Sequence, residues 1–240
     1  MSLRSHSGCL LLVCAALGML AGCAEFGSPG EAGPAVSAPT YSVGDRWVYS
    51  AKDGFRSPVV WQETREVTAV NASGVTVRVT QKGPSVDNVR TEIWAAPELV
   101  NVGAAFDEET RRFATPLVRY DYPLAPGKSW NQRVRNFNEM TKKEGEISNY
   151  ARVGGWSKVT TPAGTFDAIQ VRVLRRLDDE EFWRWPTDCN YLMAYSPAVR
   201  GTVREEKEAQ YIEKGGPDSI IPIRSQHAVL ELMSFTPGKP

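Results

Sequence analysis

Hydrophobic and polar residues alternate one by one along much of the chain, a pattern typical of β-strands with one buried and one exposed face. The alternation is clearest after Gly164, where apolar residues stand at positions 169, 171 and 173 and polar residues at 170, 172 and 176. The segment Thr161-Pro162-Ala163-Gly164 before it has the composition of a tight turn. We therefore predict a β-hairpin centred on this turn, with arms over 155–161 and 164–176.

Comparable patterns predict an all-β fold. Asn71-Ala72-Ser73-Gly74 marks a second hairpin, in which Val75, Val77 and Val79 share one face. Phe106–Phe113 is the best candidate for a short helix. The other predicted strands are 47–51, 59–70, 74–81, 89–95, 129–140, 146–155, 191–195, 202–212 and 226–234. Many strands joined by short turns favour a mainly antiparallel sheet, arranged as a curled sheet, a half-barrel or a sandwich with at most one or two short helices.

The β-rich domain is expected to cover residues 41–240, and it contains a short internal echo. A Gly-x-x-Trp element occurs at Gly44 and Trp47 and again at Gly127 and Trp130. In both places a glycine turn delivers a tryptophan onto a strand, where its large apolar area can close one end of a core. The echo suggests that the domain consists of two related halves, 41–119 and 120–240.

The amino terminus has the organisation of an export signal. The apolar run 9–20 is too short to span a bilayer but has the length of a signal-peptide core. It ends in Leu20-Ala21-Gly22-Cys23, which resembles the lipobox of bacterial lipoproteins. Residues 1–22 are thus expected to be a lipoprotein signal peptide, and the alternative is an ordinary signal peptide that contains a cysteine. The Gly-, Pro- and Ala-rich residues 23–40 are predicted to carry the lipid and form a flexible tether.

The lipobox resemblance implies a covalent diacylglyceryl group and an N-acyl chain on Cys23, and hence a membrane anchor. Ala24 follows the cysteine in place of aspartate, which in that family favours the outer membrane, with the domain facing the periplasm. Cys9 and Cys14 would leave with the signal, so Cys189 is the only other cysteine of the mature chain. No internal disulfide is then available, and Cys189 is expected to be buried and inert.

Composition and charge exclude some partners. Hydrophobic residues make up 42% of the chain, enough to form a core. The 28 basic residues are balanced by 28 acidic ones, whereas nucleic-acid-binding domains carry a basic excess on one face. We therefore expect no nucleic-acid partner, and leave an envelope lipid, a glycan or an envelope protein as candidate partners.

Three elements together resemble a family of envelope domains. These are Gly127-x-x-Trp130, the Pro-Ala-Gly-Thr-Phe-x-Ala element at Pro162–Ala168, and Tyr195-Ser196-Pro197-x-Val199. They are similar to domains of unknown function described as TapB-like, over roughly 120–212 and more faintly over 41–95. Ala194 and Arg200 depart from that pattern. The resemblance implies a β-rich fold related to curled-sheet lipoprotein carriers, and it supplies no catalytic residues.

The segment Phe182-Trp183-Arg184-Trp185-Pro186 is the most distinctive candidate site. In a strand, Trp183 and Trp185 would share one face and could grip an acyl chain, a sugar or a partner protein. The alternative is that both pack as ordinary core. The acidic run Asp178–Glu181 lacks the spacing of a calcium loop and is expected to be a solvated hairpin tip, so no metal site is predicted.

Catalytic chemistry has little support. His227 is the only histidine of the mature chain and lies in an alternating strand outside any motif. A hydrolase would need it beside a serine or Cys189 in a cleft. We therefore expect no enzyme and no cofactor beyond the lipid on Cys23. The leading hypothesis is a binding or assembly module of the cell envelope, the second is a structural or interaction lipoprotein without a ligand pocket, and the third is a hydrolase.

Overall fold

The computed structural model describes residues 31–105, 109–179, 181–215 and 221–239, and twelve β-strands dominate them. A single 3₁₀ turn, Pro197–Val199, lies between two of the strands. The strands are β1 Arg46–Asp53, β2 Val59–Asn71, β3 Gly74–Lys82, β4 Asp87–Ala96, β5 Leu99–Ala104, β6 Thr110–Val118, β7 Ser129–Asn138, β8 Lys143–Thr161, β9 Gly164–Asp178, β10 Thr187–Ser196, β11 Gly201–Tyr211 and β12 Ile223–Thr236. In the described ranges, no helix is long and apolar enough to cross a bilayer.

The strands form one closed antiparallel barrel. Each strand pairs with its neighbour in sequence, and β12 returns to pair with β1. Closure leaves no edge strand, so every strand has a hydrogen-bonding partner on both sides. The predicted all-β antiparallel class is confirmed, and the architecture is a complete barrel. The seam between β6 and β7 is thin, because the register pairs only 111–113 with 136–138.

The up-and-down order places successive connections at alternate ends of the barrel. We name the end that holds the start of β1 and the hairpin turn Pro162-Ala163 the near end, and the opposite one the far end. The near-end connections are 72–73, 97–98, 119–128 and 197–200. The far-end connections, as far as the structure describes them, are 54–58, 83–86, 105 with 109, 139–142, 179 with 181–186, and 212–215 with 221–222.

Large side chains fill the interior. A twelve-stranded barrel is wider than the eight-stranded barrels whose side chains just fill the lumen. Two apolar clusters occupy the space here, one around Trp47, Tyr49 and Trp94 and the other around Tyr191 and Tyr195. Trp47 stacks on Phe235 with ring centroids 5.4 Å apart and donates from Nε1 to the Val199 carbonyl at 2.8 Å. The prediction that this tryptophan closes one end of the core is therefore confirmed.

Charged side chains also lie inside the barrel wall, at positions that alternate with outward-facing ones. On β2, buried Glu63 accepts from Arg65 at 2.7 Å and from Gln81 at 2.8 Å. Burial opposes ionisation of Glu63, but the charges of Arg65 and Arg90 outweigh it and lower the pKa of the carboxyl to about 2. The Glu63 carboxyl is therefore ionised in the folded protein at neutral pH and forms an ion pair with Arg65.

Arg111 is the largest fully buried charged side chain among the described residues and lies at the thin seam. Its guanidinium binds both carboxylate oxygens of Asp179, at 2.6 and 3.1 Å, and also contacts Glu109 at 2.6 Å and Asn136 at 3.0 Å. Asp179 follows β9, so this contact joins β6 to a strand that is not its neighbour. The prediction of a fully solvated acidic tip is wrong for Asp179, because this ion pair buries it.

The predicted helix at Phe106–Phe113 is wrong where it can be compared. Residues 106–108 lie outside the described residues, while 110–118 form β6. Arg111 and Phe113 are buried and Arg112, between them, is exposed. This period of two is that of a strand, and pairing with β5 and β7 overrides the helical propensity of the sequence.

Part of the predicted tether, residues 23–40, is packed on the barrel. Residues 23–30 lie outside the described residues, but the chain from Glu31 onward packs on the barrel. Glu31 forms a bridge with Trp156, and Val36 exchanges backbone hydrogen bonds with Leu124 at 2.8 Å in both directions. Val36 and Leu124 are both buried. The folded part therefore begins before the predicted boundary at Tyr41, and its first segment helps to close the near end.

The two Gly-x-x-Trp elements have the same local geometry. Gly44 and Gly127 both have positive φ, 90° and 87°, which favours glycine. The amide of Gly44 donates to Val67 on β2 at 2.8 Å, and that of Gly127 donates to Val153 on β8 at 3.0 Å. The two turns thus lead in the same way into β1 and β7, the first strands of the two proposed halves. That the two halves are related stays a prediction.

Candidate functional site

Trp183 and Trp185 lie in the far-end connection between β9 and β10, outside any strand. Trp183 is 39% exposed, Trp185 is 54% exposed and the preceding Phe182 is 85% exposed. The alternative that both tryptophans are ordinary core is therefore wrong. Three neighbouring aromatic side chains stand at the barrel end with much of their apolar area in water.

Contacts with the adjacent connection hold this loop in place. The amide of Trp185 donates to the Ile212 carbonyl and that of Lys214 donates to the Trp183 carbonyl, both at 2.8 Å. These two bonds pair the segment with the chain that leaves β11. The ring of Trp183 packs edge-on against Tyr211, with centroids 5.5 Å apart. The tryptophans are thus presented on an ordered backbone, which lowers the entropy cost of using them in binding.

Basic side chains lie against the same rings. The Arg184 guanidinium carbon is 5.5 Å from the Trp183 centroid, and Lys214 Nζ is 4.8 Å from the Trp185 centroid. Both distances fall within the range of cation–π attraction. Arg184 is anchored in turn by Thr187 Oγ1 at 2.7 Å and by Asp179 at 3.4 Å. The cluster therefore offers both apolar area and positive charge.

Exposed apolar side chains continue from this loop along the far end. Glu181 accepts from Trp183 Nε1 at 3.0 Å and from Lys143 at 2.7 Å, which connects the loop to the β7–β8 turn that carries exposed Met140. Phe55, in the β1–β2 connection, stacks on His227 with centroids 4.0 Å apart and is 64% exposed. We name Phe55, Met140, Phe182, Trp183 and Trp185 the aromatic rim.

The near end lacks such a surface in the part of the chain that the structure describes. There the exposed large apolar side chains are two valines, Val43 and Val70. Residues 31–40 pack at this end. The exposed aromatic area is therefore concentrated at the end opposite to the one where the amino-terminal segment joins the barrel.

Sequence reasoning identified Trp183 and Trp185 but missed Phe55 and Met140. These residues lie in connections 54–58 and 139–142, far from the tryptophans in sequence. A loop residue carries no periodic signal, because its exposure depends on which connections share an end of the barrel. The one available signal was the order of the strands, because every second connection of an up-and-down barrel lies at the same end.

His227 and Cys189 lie on opposite faces of the barrel wall. The side chain of His227 points outward, where its Nδ1 is 3.1 Å from Glu208 Oε1 and its ring stacks on Phe55. Cys189 is buried in the second apolar cluster, as expected, and its strand neighbour Ala209 is buried with it. The structure does not bring His227 and Cys189 together, which was one of the two pairings that the hydrolase hypothesis allowed. Within the described ranges, no group of three or more His, Cys, Asp or Glu residues could hold a metal ion.

Comparisons with known proteins show the fold. No protein-family model matches the chain, and therefore none supports the specific resemblance to TapB-like domains. No curated protein matches it either. A Bacteroides fragilis protein, provisionally described as exported and with a YmcC-like fold, aligns with TM-score 0.50 and 14% identity over 85% of this chain and 100% of its own. A provisionally described lipoprotein of Parabacteroides distasonis aligns with TM-score 0.49 and 15% identity over the same shares. The chain therefore shares its fold with the first of these two bacterial proteins.

Proposed function

We propose that this protein is a lipid-anchored, non-catalytic docking module of the bacterial envelope, and that its aromatic rim binds an envelope protein. The observation that carries the proposal is the position of the rim. Phe182 and Trp185 are largely exposed on an ordered loop, at the opposite end of the barrel from residues 31–40. The lipobox at Cys23 supports the anchor, and Ala24 supports the periplasmic face of the outer membrane.

The position of the anchor supports a partner away from the membrane. Seven residues lie between Cys23 and Glu31, and the eight steps of chain from one to the other reach at most about 28 Å when fully extended. Glu31 is bonded to Trp156, five residues from the near-end terminus of β8. A lipid on Cys23 therefore holds the near end close to the membrane and leaves the rim directed into the periplasm.

The chemistry of the rim supports a protein partner. Trp, Tyr, Phe, Met and Arg are the residue types enriched at protein interfaces, and a few buried aromatic anchors supply most of the binding energy. The rim contains four aromatic side chains and a methionine, next to Arg184 and Lys214. An exposed apolar patch of this kind on a folded domain usually marks an interaction site.

Site-specific photocrosslinking in the native bacterium tests the proposal. A photoreactive phenylalanine analogue is placed at Phe182 or Trp185, and at Val43 as the near-end control with comparable exposure, 51%. We expect one discrete protein adduct from the two rim positions and none from Val43. The adduct from position 182 should disappear when Trp183→Ala and Trp185→Ala are combined, while circular dichroism of the purified variant keeps its β signature.

Three results would contradict the proposal. Equal adducts from Val43 and from the rim would mean that contact is unspecific. Adducts whose mass identifies only lipid, or no adducts at either rim position, would move the function to a membrane-surface or purely structural role.

A further inference from the structure

A depression of about 680 Å³ lies on the outer wall of the barrel. Its volume is in the range of small-molecule sites, about 300–1,000 Å³. Strand register shows how it is built, because residues paired across β7 to β12 form two parallel rows. The first row is Arg133, Ser148, Arg176, Asp188, Gln210 and Arg224. The second is Asn131, Tyr150, Leu174, Asn190, Glu208 and His227.

The floor of the depression is apolar. Tyr150 and Leu174 are direct cross-strand partners on the outer face. Tyr150 is 47% exposed and Leu174 is 46% exposed. Two side chains give a flat platform about as large as one ring, and they are too few to bury an acyl chain. The floor therefore suits the apolar face of a ring-shaped ligand.

Positive charge surrounds this platform. The outward side chains that line the depression include four arginines but only two carboxylates. The arginines are Arg133, Arg172, Arg176 and Arg224, and the carboxylates are Asp188 and Glu208. Arg175 also lines it, but its guanidinium is buried and binds Asn149. The outward side chains of the site therefore carry an excess of two positive charges on a chain that is neutral overall. Such an excess favours an anion.

The existing partners of these arginines are weak competitors for a ligand. Arg133 pairs with Glu146 at 2.5 Å while 75% exposed, and Arg176 lies 4.0 Å from Asp188 while 57% exposed. Exposed ion pairs contribute about 0–1 kcal/mol. Arg133 and Arg176 stand two strands apart, roughly 10 Å by ordinary strand spacing. A carboxylate that binds either guanidinium in bidentate fashion can replace these contacts.

Amide and hydroxyl groups complete the lining. Asn131, Ser148, Asn190 and Gln210 all border the depression. Arg172 donates from Nε to Asn190 Oδ1 at 3.1 Å, which orients that amide. Amides both donate and accept hydrogen bonds, as sugar hydroxyls do. We propose that the depression binds an acidic saccharide, with a ring face on Tyr150 and a carboxylate on Arg133 or Arg176. Arg224, at one side of the depression, lies 5.1 Å from the ring of Phe55 in the aromatic rim. Tyr150, Arg133 and Arg176 are not members of the rim, and the assignment does not rest on the docking function proposed above.

Calorimetric titration of residues 24–240, which contain the whole closed barrel, tests this assignment. The probes are a trimer of galacturonic acid and the neutral galactose trimer of equal length, in 0.15 M salt. We expect the acidic trimer to bind and the neutral one to bind at least about tenfold more weakly, because a charge-assisted hydrogen bond contributes about 1.5–3 kcal/mol. Arg133→Gln with Arg176→Gln should weaken the acidic trimer at least about tenfold, and Tyr150→Ala should weaken both trimers.

Arg135→Gln is the matched control. Arg135 lies two residues from Arg133 on the same face of β7, is 74% exposed and pairs with Glu144 at 2.8 Å, but it does not line the depression. Its loss should leave binding unchanged, as should Trp183→Ala with Trp185→Ala. Absence of binding overturns the assignment, as does equal affinity for the two trimers. An equal loss in Arg135→Gln would show a general electrostatic effect and would overturn it too.

Discussion

Arg111 provides the sharpest test of how the barrel is held together. It is fully buried at the seam between β6 and β7, where only three residue pairs connect the strands. Replacing it with methionine keeps most of the side-chain volume and removes the charge. Asp179 would then lose its bidentate partner while remaining inside the wall, and Asn136 and Glu109 would each lose a donor.

The expected loss follows from these contacts. Breaking a buried ion pair by removing one partner costs about 3–5 kcal/mol. Asp179 would retain Arg184 at 3.4 Å, which places Arg111→Met at the lower end, about 3 kcal/mol. For a chain of this length, that corresponds to a fall in Tm of about 6–12 °C. Arg111→Lys keeps the charge but cannot hold both oxygens of Asp179 in the same geometry. Its free energy of unfolding should therefore lie between those of the wild type and Arg111→Met.

Urea unfolding followed by tryptophan fluorescence and by circular dichroism measures the effect. Arg112→Met is the matched control, since Arg112 is the next residue on β6, is 67% exposed and pairs with Glu139 on the outside. It should change the free energy of unfolding by less than about 1 kcal/mol. Equal effects of the two methionine variants, or an Arg111→Met loss below 1 kcal/mol, would refute the view that this buried pair stabilises the seam. If Arg111→Met does not accumulate in folded form, Arg111→Lys against Arg112→Lys decides the question.

Three further predictions follow from other parts of the barrel. The pKa of Glu63 falls from 4.5 to about 2 on folding. Its ionised form therefore stabilises the barrel above pH 4.5, and this contribution disappears as the pH falls toward 2. Between pH 5 and 2, Glu63→Gln should lose less unfolding free energy than the wild type. Gly74 and Gly164 occupy equivalent hairpin turns with φ of 124° and 130°, but of the two only Gly74 has a neighbour that a Cβ would meet, the Trp94 carbonyl oxygen at 2.0 Å. Gly164→Ala should therefore lower the unfolding free energy in urea by about 1–2 kcal/mol, and Gly74→Ala should lower it clearly more. Equal losses would contradict this reasoning. Val36→Asp should detach the segment before Tyr41, which limited proteolysis with mass spectrometry would detect as faster cleavage over 31–40, and unchanged protection would contradict it.

The local periodicity of the chain was enough to predict the class of the fold. The alternation at 164–176 and the turn at Thr161–Gly164 correspond to β9 and the β8–β9 hairpin. The 202–212 segment was correctly predicted as a strand despite its charged residues, and it is β11. These features depend on neighbouring residues, and for that reason a sequence determines them.

The sequence alone also supplied the resemblance of Leu20–Cys23 to a lipobox, because that signal is linear, and the lipid anchor that it implies stays a prediction. It did not show that the sheet closes, since closure is a pairing between β1 and β12 at opposite ends of the chain. Alternation divides a strand into two faces but does not say which charges face inward. Arg111 and Asp179 are stable inside because closure brings them within 2.6 Å of each other.

The candidate surfaces were decided almost wholly by the tertiary structure. Trp183 and Trp185 were visible in the sequence, but their exposure follows from the connection they occupy at the far end. Phe55 joins them there because antiparallel strands return every second connection to the same end. The outer depression depends on register, which aligns Arg133 with Arg176 across β8. The sequence thus determined the strands through local physics and predicted the anchor from a linear signal. Closure and register, which act between distant residues, placed the charges and the surfaces.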